Sequence, residues 1–266
     1  MRFLYALLLA MAFPVVQTTS VGGSGTATTT PTITLPTGIV AGDKVIIFHS
    51  VNEVGGVATA ITWPAGWSKP ANGDADNATS QNASFIAYRD CDGTEGASIS
   101  PTLTVSGNYS FACLRISGAA PGAPDNPVQA TDGSATPGQP DPPANTPAGG
   151  AADYLWIAAA MWDSGLNNWS AYPTNYSGGI KFDSSDNGGV ALAGIAVATR
   201  QLNAATEDPG TFTLTTADQY CAATVAVSPR FAALTGTVTA SITEADIVAG
   251  GKTIIVTLTG DTWIPA

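Results

Sequence analysis

Hydrophobic residues in this chain occur in short runs that are separated by clusters of turn residues. The clearest run, VIIF at residues 45–48, follows a Gly-Asp turn and contains no polar residue. An uninterrupted apolar run of this length predicts a strand that is covered on both faces. Because side chains alternate along a strand, successive members of the run should face opposite ways, which places this strand inside a two-layer β structure.

The same order of turn, short apolar strand and turn recurs along the chain. The predicted strands are 32–35, 44–50, 60–63, 84–89, 98–105, 109–116, 190–200, 211–215 and 220–227. Strands 98–105 and 109–116 should form a hairpin across the Ser-Gly-Asn turn between them. The run YLWIAAAMW at 154–162 fits a buried helix or a buried strand, and its short length and flanking glycines favour a strand.

This pattern predicts an all-β protein, an antiparallel β-sandwich of jelly-roll type over residues 32–230. The composition agrees, because Gly and Pro are abundant and charged residues make up only 11% of the chain. Residues 118–150 hold eight of the eighteen prolines, which predicts a long crossover between the sheets with a brief pairing at 127–130. The expected core includes Val45, Ile47, Phe111, Leu155, Ile157, Ile195, Val197, Val225 and Val227.

The two ends of the chain differ from the sandwich. Residues 1–31 are predicted to be a leader, in which an apolar start is followed by a flexible Gly/Thr-rich arm. Residues 231–266 predict a partial module of Ig-like type, with strands 236–242 and 252–258 joined by a short turn of helix at 244–248. Two strands alone are marginal, so this module should pack on the sandwich, pair with another subunit or continue in a longer chain. We favour pairing between subunits.

The first residues allow two interpretations. Arg2, the apolar run after it and the Ala-Met-Ala triplet at 10–12 are typical of a secretory signal peptide. Alternatively, Met11 is the true start and the residues before it are an upstream extension. The apolar run is too short for a comfortable membrane span, and Pro14 follows it directly.

The charge balance restricts the partners of this chain. Nine Lys plus Arg against twenty Asp plus Glu give a formal net charge of -11. No basic residue occurs between Arg115 and Lys181, so nucleic acid is an improbable partner. An acidic chain with few charges suits an extracellular or particle-surface protein.

The sequence contains no motif for a catalytic site. His49 is the only histidine, and on an apolar strand a hydrogen-bonded or edge histidine is a better interpretation than a general base. The patterns GxSxG, HExxH and GxGxxG are absent, so we expect neither enzymatic activity nor a cofactor. Asp74 with Asp76, and Asp90 with Asp92, could ligate a structural calcium ion, but neither loop has the full ligand set.

Signals for covalent links are weak. The three cysteines lack CxxC spacing, and Cys113 and Cys221 are expected to be small core residues. One disulfide remains an alternative if the chain matures in an oxidising compartment. The N-x-S/T sites matter only in a eukaryotic secretory pathway, and they are Asn77, Asn82, Asn108, Asn168 and Asn175.

A group of aromatic residues near loops is the best candidate for a binding surface. Aromatic rings can stack on sugars, and an adjacent asparagine would supply hydrogen bonds. The candidate glycan contacts are Trp67, Trp169, Tyr172, Tyr176 and Asn168. The competing interpretation is packing, in which Trp63 and Trp67 clamp the turn between them and the other aromatics cap the edge of the sandwich.

Five segments carry distinctive turn and strand signatures. They are MAFPVVQTTS at 11–20, LPTGIVAGDKVIIF at 35–48, ITWPAGW at 61–67, APDNPVQA at 123–130 and DYLWIAAAMW at 153–162. Together they resemble a widespread group of bacteriophage virion and tail-associated proteins. Proteins of that group begin at a methionine placed like Met11, which favours Met11 as the start. Residues 234–263 resemble a separate β module found in phage structural proteins.

The resemblance implies a non-enzymatic structural or appendage protein of a phage particle, such as a tail, fibre or decoration component. Its expected location is the virion, and its expected partners are other copies of itself, other virion proteins and host surface glycans. The alternative is a secreted bacterial protein of β-sandwich type that binds carbohydrate or mediates surface adhesion.

Overall fold

A computed structural model describes residues 12–53, 59–77, 82–131, 138–163, 169–183, 193–230, 237–240 and 256–259 of the 266-residue chain. Within these ranges the regular structure consists of strands. They are β1 Val15–Thr28, β2 Ile33–Thr34, β3 Lys44–Glu53, β4 Ile61–Thr62, β5 Asp74–Asn77, β6 Asn82–Asp90, β7 Ser98–Ile99, β8 Thr102–Leu103, β9 Gly107–Ser117, β10 Asp125–Thr131, β11 Ala152–Trp162, β12 Trp169–Ala171, β13 Ser177–Asp183, β14 Gly194–Ala204, β15 Thr213–Leu214, β16 Tyr220–Val227, β17 Thr237–Ala240 and β18 Val256–Thr259. The all-β prediction is therefore confirmed.

Strands β1 to β16 belong to one compact unit, Met11–Arg230. Its two main sheets each contain five antiparallel strands, in the orders β1-β9-β3-β6-β5 and β10-β16-β11-β14-β13. Side chains from both sheets meet in a shared apolar layer, so the sheets pack face to face. The crossover from the first sheet to the second is complete by Asp125, because Asp125–Thr131 forms β10, an edge strand of the second sheet, and the predicted pairing is confirmed at Val128–Ala130.

When the strands of each sheet are numbered from 1 to 5 along the chain, both sheets have the same spatial order, 1-5-2-4-3. The contacts between sheets repeat in the same way, because β1 lies against β13 and β10 lies against β5. The two halves of the unit are therefore related by an approximate twofold axis. The expected jelly-roll topology is not confirmed, since here each sheet takes all its strands from one half of the chain.

The duplication extends to a turn that the sequence contains twice. In WPAGW at 63–67, the Trp67 amide donates to the Pro64 carbonyl at 3.1 Å, and in YPTNY at 172–176 the Tyr176 amide donates to the Pro173 carbonyl at 3.2 Å. Both turns need a left-handed residue before the second aromatic, and Gly66 (φ 86°) and Asn175 (φ 69°) supply it.

Apolar residues form three layers, because the outer face of each sheet is also buried. The central layer, between the sheets, contains Ile46, Phe48, Ile86, Leu114, Ile116, Leu155, Ile157, Ile195, Val197, Val225 and Val227 among others. Val45, Ile47 and Phe111 are buried as predicted, but they lie on the outer face of the first sheet. Short strands and loops of the chain cover both outer faces, which explains why β3 is apolar at every position from Val45 to Phe48.

The prediction of a flexible arm through residue 31 is wrong, because Val15–Thr28 forms β1 and pairs with β9 over most of its length. The glycines that suggested flexibility are there for packing. A Cβ on Gly22 would lie 2.8 Å from Cζ of Phe111, and one on Gly23 would overlap the backbone of β9.

The predicted hairpin between 98–105 and 109–116 is also wrong. The first of these segments splits into β7 and β8, which pair with β2 and β4 on the outer face. Strand β9 instead lies between β1 and β3, both distant in sequence. A local turn signal therefore did not determine the pairing partner.

The second compact unit contains residues 231–266 together with Met1–Ala10. Its described strands, β17 and β18, pair antiparallel, with Val238 opposite Leu258 and Ala240 opposite Val256. The two predicted C-terminal strands are confirmed at these positions. The predicted turn at 244–248 and the start at Met11 lie outside the described residues.

Candidate functional site

The structure distributes the candidate glycan contacts over opposite faces of the sandwich. Trp67 belongs to the outer cluster of the first sheet, whereas Trp169, Tyr172 and Tyr176 belong to the outer cluster of the second. Asn168 lies outside the described residues. Among the candidates that the structure describes, the three aromatics of the second sheet can therefore contribute to one surface.

Trp169 and Tyr172 form a half-buried aromatic pair on the second sheet. Their ring centroids are 4.6 Å apart with planes inclined at 51°, and Tyr172 contacts Phe212 edge-on at 6.1 Å. Phe212 is fully buried, so the pair rests on a fixed support. The ammonium of Lys181 lies 5.1 Å from the centre of the Trp169 ring, within range of a cation–π interaction.

Tyr176 and Trp67 occupy equivalent places in the two repeated turns, and both are largely buried at 9% and 8% exposure. The Tyr176 hydroxyl donates to Oε1 of Glu207 at 3.3 Å, and Arg200 donates to the same oxygen at 2.8 Å. Burial, and after it the Glu207 carboxylate, raises the pKa of Tyr176 well above its usual range. These contacts make Tyr176 an anchor for the covering loops, with little ring surface left for a ligand.

Arginines that pair with buried carboxylates hold the covering loops on both sheets. Arg115 donates to Asp43 at 2.6 Å, and Nε of Arg89 lies 3.2 Å from Glu95, whose carboxylate also accepts two backbone amides. Arg200 with Glu207 is the counterpart on the second sheet. Pairing satisfies each buried charge, so these residues serve the fold.

The carboxylates considered for calcium are largely paired with cations. Asp74 pairs with Lys69 at 2.6 Å, Asp90 with the buried Lys44, and Asp92 with Arg89. Among the described residues, no three His, Cys, Asp or Glu side chains cluster closely enough to hold a metal ion. The three cysteines form no disulfide with one another and are buried, and burial raises the pKa of Cys113 to about 12.

His49 departs from its expected environment. Strand β3 lies inside the first sheet, so His49 is at no edge, and neither ring nitrogen has a hydrogen-bond partner among the described residues. The imidazole stacks on Tyr109 with centroids 5.6 Å apart and also contacts Trp63 and Phe85. Complete burial lowers the pKa of His49 to about 3, which keeps the ring neutral.

A row of polar side chains on the inner face of the first sheet was not predicted as a site. It comprises Ser50, Asn52, Asn82, Ser84, Asn108 and Ser110, which are all buried and lie opposite one another on three neighbouring strands. The sequence pattern that could have predicted this row is a Ser or Asn at alternate positions of β3, β6 and β9. Asn82 and Asn108 were considered as glycosylation sites, and their burial in strands excludes that modification in the folded protein.

These polar residues connect the two sheets. Asn52 donates to Oδ1 of Asp163 at 2.5 Å, and the Ser84 hydroxyl donates to Gln129 at 2.7 Å. Burial, followed by the charge of Asp218, raises the pKa of Asp163 to about 6, while the bond from Asn52 opposes this shift. The arrangement can hold the sheets in register and accept ordered water.

Within the described ranges, no helix is long and apolar enough to cross a membrane. Comparisons with protein-family models, with curated proteins and with solved structures gave no match, so the resemblance to phage proteins stays a prediction and function is argued from this chain's own residues.

Proposed function

We propose that this chain is a non-enzymatic structural or appendage protein of a phage particle and that it contacts host surface glycans through Trp169 and Tyr172. The observation that carries the glycan contact is their half-buried aromatic pair on a sheet face. The particle role is supported by the sequence signatures and by the architecture, in which loops anchored by ion pairs cover both sheets.

Sugar rings bind proteins by laying their apolar C–H face on an aromatic ring, which needs a ring that is fixed and partly accessible. Phe212 fixes Tyr172 from below, and Lys181 lies beside Trp169. Trp156 and Trp162 on the same outer face are buried, whereas Trp169 and Tyr172 are half-buried and lie against each other, which favours this pair as a platform in the described part of the second sheet.

A binding measurement against purified host surface polysaccharides tests the glycan contact. Trp169→Ala should weaken binding about tenfold or more, because one stacking contact contributes roughly 1.4 kcal/mol. Trp67→Ala is the matched control, a Trp to Ala change in a loop on the opposite sheet. It should leave binding unchanged while lowering the melting temperature. Equal loss in both variants, or no binding to any polysaccharide, would contradict the glycan contact.

The particle role has its own test, which is mass spectrometry of purified phage particles from the host culture. The chain should be present at many copies per particle. If it is found only in the medium of cells that make no particles, the secreted carbohydrate-binding alternative takes its place.

A further inference from the structure

The outer face of the first sheet lies beneath a cover, which we define as residues 29–37, 59–68 and 97–106. Its regular structure consists of two pairs of two-residue strands, β2 with β7 and β4 with β8. Further bonds join the three segments, as from the Leu103 amide to the Thr29 carbonyl at 2.8 Å. Strand pairs this short are not stable alone, so the cover keeps its structure only while it packs on the sheet.

His49 is fully buried between β3 and this cover. The centroid of its imidazole lies 6.4 Å from that of the Trp63 ring, which belongs to the cover. The rings of Phe85 and Tyr109, on the two neighbouring strands, lie at 6.2 and 5.6 Å. The Tyr109 hydroxyl accepts a hydrogen bond from the Thr32 amide at 3.1 Å and donates to the Thr32 carbonyl at 3.3 Å. His49 is therefore packed among rings that connect the sheet to its cover.

The surroundings of His49 do not suit a charged imidazole. Neither ring nitrogen has a hydrogen-bond partner among the described residues, and the same is true of Nε1 of Trp63. The three segments of the cover contain no Asp, Glu, Lys or Arg. A buried imidazolium would lose its hydration, and stacking on Tyr109 returns only part of that free energy. Burial lowers the pKa of His49 to about 3, so the closed form holds a neutral ring.

Titratable groups on the same face of the sheet do not supply a partner either. They are Asp74, Arg89, Tyr109, Cys113 and Arg115. Asp74 lies two strands away and pairs with Lys69 at 2.6 Å, and the arginines pair with carboxylates of their own. The Cys113 thiol stays protonated, because burial raises its pKa to about 12. Glu53 follows four positions along β3. No described carboxylate forms a hydrogen bond with the imidazole of His49.

We propose that acid lifts this cover off the first sheet while the two main sheets stay paired. A proton on His49 needs solvent, and solvent reaches the imidazole once Trp63 and the rest of the cover move away. His49 is the only histidine of the chain and lies outside the central layer, so its protonation opposes packing of the cover and not packing between the sheets. The open form exposes an aromatic face that includes Phe85, Tyr109 and Phe111.

The direction and size of the effect follow from proton linkage. In the open form the pKa of His49 returns to about 6.5, whereas in the closed form it is about 3. The open form binds more protons between these values, so the ratio of open to closed protein rises as the pH falls below about 6.5 and levels off near pH 3. From pH 7 to pH 5 this ratio should rise about 25-fold.

Thiol labelling measures the opening, because two buried cysteines lie in different layers. Cys113 lies beneath the cover, opposite Ile47 of β3, whereas Cys221 belongs to the central layer between the sheets. Dithiodipyridine reacts with thiols in acid, and each labelling rate is divided by that of free cysteine at the same pH. The corrected rate at Cys113 should rise about 25-fold from pH 7 to pH 5 and should exceed the rate at Cys221 at both pH values.

Three variants separate His49 from other causes. His49→Leu and His49→Phe keep an apolar side chain in the cluster and should remove the rise between pH 7 and pH 5. Leu103→Ala is the matched control, because it removes a buried side chain of the cover and retains His49. In this control Cys113 should be labelled faster at both pH values, and the rise should still be about 25-fold.

Circular dichroism at pH 7 confirms the fold of each variant, and either His49 variant alone suffices. A constant corrected rate at Cys113, equal rates at Cys113 and Cys221, or an unchanged rise in a folded His49 variant would each overturn the inference. The cover lies on the first sheet, whereas Trp169 and Tyr172 lie on the second, so those results would leave the glycan contact of the proposed function standing.

Discussion

At the scale of single residues, His49 makes stability depend on pH. In the unfolded chain its imidazole accepts a proton below about pH 6.5, whereas in the folded protein burial lowers the pKa to about 3. Between these values the unfolded state binds more protons, so the free energy of unfolding falls as the pH decreases through this window and is fully retained above it. Linkage predicts a loss of about 2 kcal/mol between pH 8 and pH 5.

Urea denaturation of His49→Leu at pH 8 and pH 5 measures this contribution. The variant should lose about 2 kcal/mol less than the wild type between the two pH values. Phe85→Leu, in the same aromatic group, is the control and should keep the full pH dependence. If the free energy of unfolding changes equally with pH in the wild type and in His49→Leu, groups other than His49 cause the pH dependence.

The titration of Asp163 changes the free energy of unfolding with pH in the opposite direction. Its pKa of about 6 in the folded protein exceeds the ordinary value of 3.8, so the folded state binds more protons between these values. The contribution to stability is therefore present at low pH and is lost as the pH rises through this window. Asp163→Asn keeps an acceptor for Asn52 and should stabilise the protein at pH 8 by on the order of 1 kcal/mol, after allowance for solvent screening.

Melting temperatures at pH 4 and pH 8 check this prediction. The melting temperature of Asp163→Asn should exceed that of the wild type at pH 8 and should approach it at pH 4. Asp163→Ala leaves the Asn52 amide without its acceptor and should be less stable at both pH values. A stabilisation by Asp163→Asn that is equal at both pH values would contradict the assignment.

At the scale of elements, small residues decide how the strands of the second sheet pack. Gly194 lies opposite Trp162 in the pairing of β14 with β11, and a Cβ there would overlap the indole ring. Gly194→Ala should therefore cost about 1–3 kcal/mol and shift the tryptophan fluorescence, as overpacking displaces the ring. Gly149→Ala is the control, because its nearest neighbour is the Tyr154 hydroxyl at 3.1 Å, the far end of a side chain. Similar stability of the two variants would show that the indole can move without cost.

At the scale of the whole molecule, the expected assembly contact is the pair of C-terminal strands. Strands β17 and β18 form a two-stranded sheet, which is marginal by itself, and they belong to a compact unit separate from Met11–Arg230. Light scattering of the full chain and of residues 11–230 tests this expectation. The full chain should form an oligomer, whereas the shortened chain should be a monomer that unfolds at nearly the same temperature. Equal size of the two chains in solution would contradict assembly through residues 231–266.

The sequence by itself determined the class of structure and most strand positions, because apolar runs and turn residues are local signals. The strand 220–227 was placed at its observed bounds, and the run at 154–162 proved to be a strand within Ala152–Trp162. The repeated turns WPAGW and YPTNY can also be recognised in the sequence, where they indicate that the two halves of the sandwich share a pattern. Burial on both faces of β3 followed from its uninterrupted apolar run.

Only the tertiary structure decided which strands pair and which aromatics remain accessible. Strand pairing joins residues far apart in sequence, as in the pairing of β1 with β9. The Gly-rich composition of β1 suggested a flexible segment, whereas its glycines leave the space that Phe111 occupies beside the strand. Trp67 and Trp169 have the same chemistry, but Trp67 is buried in a repeated turn and Trp169 is only partly buried. The accessibility of a residue depends on which distant parts of the chain pack against it, and a local sequence pattern does not contain that information.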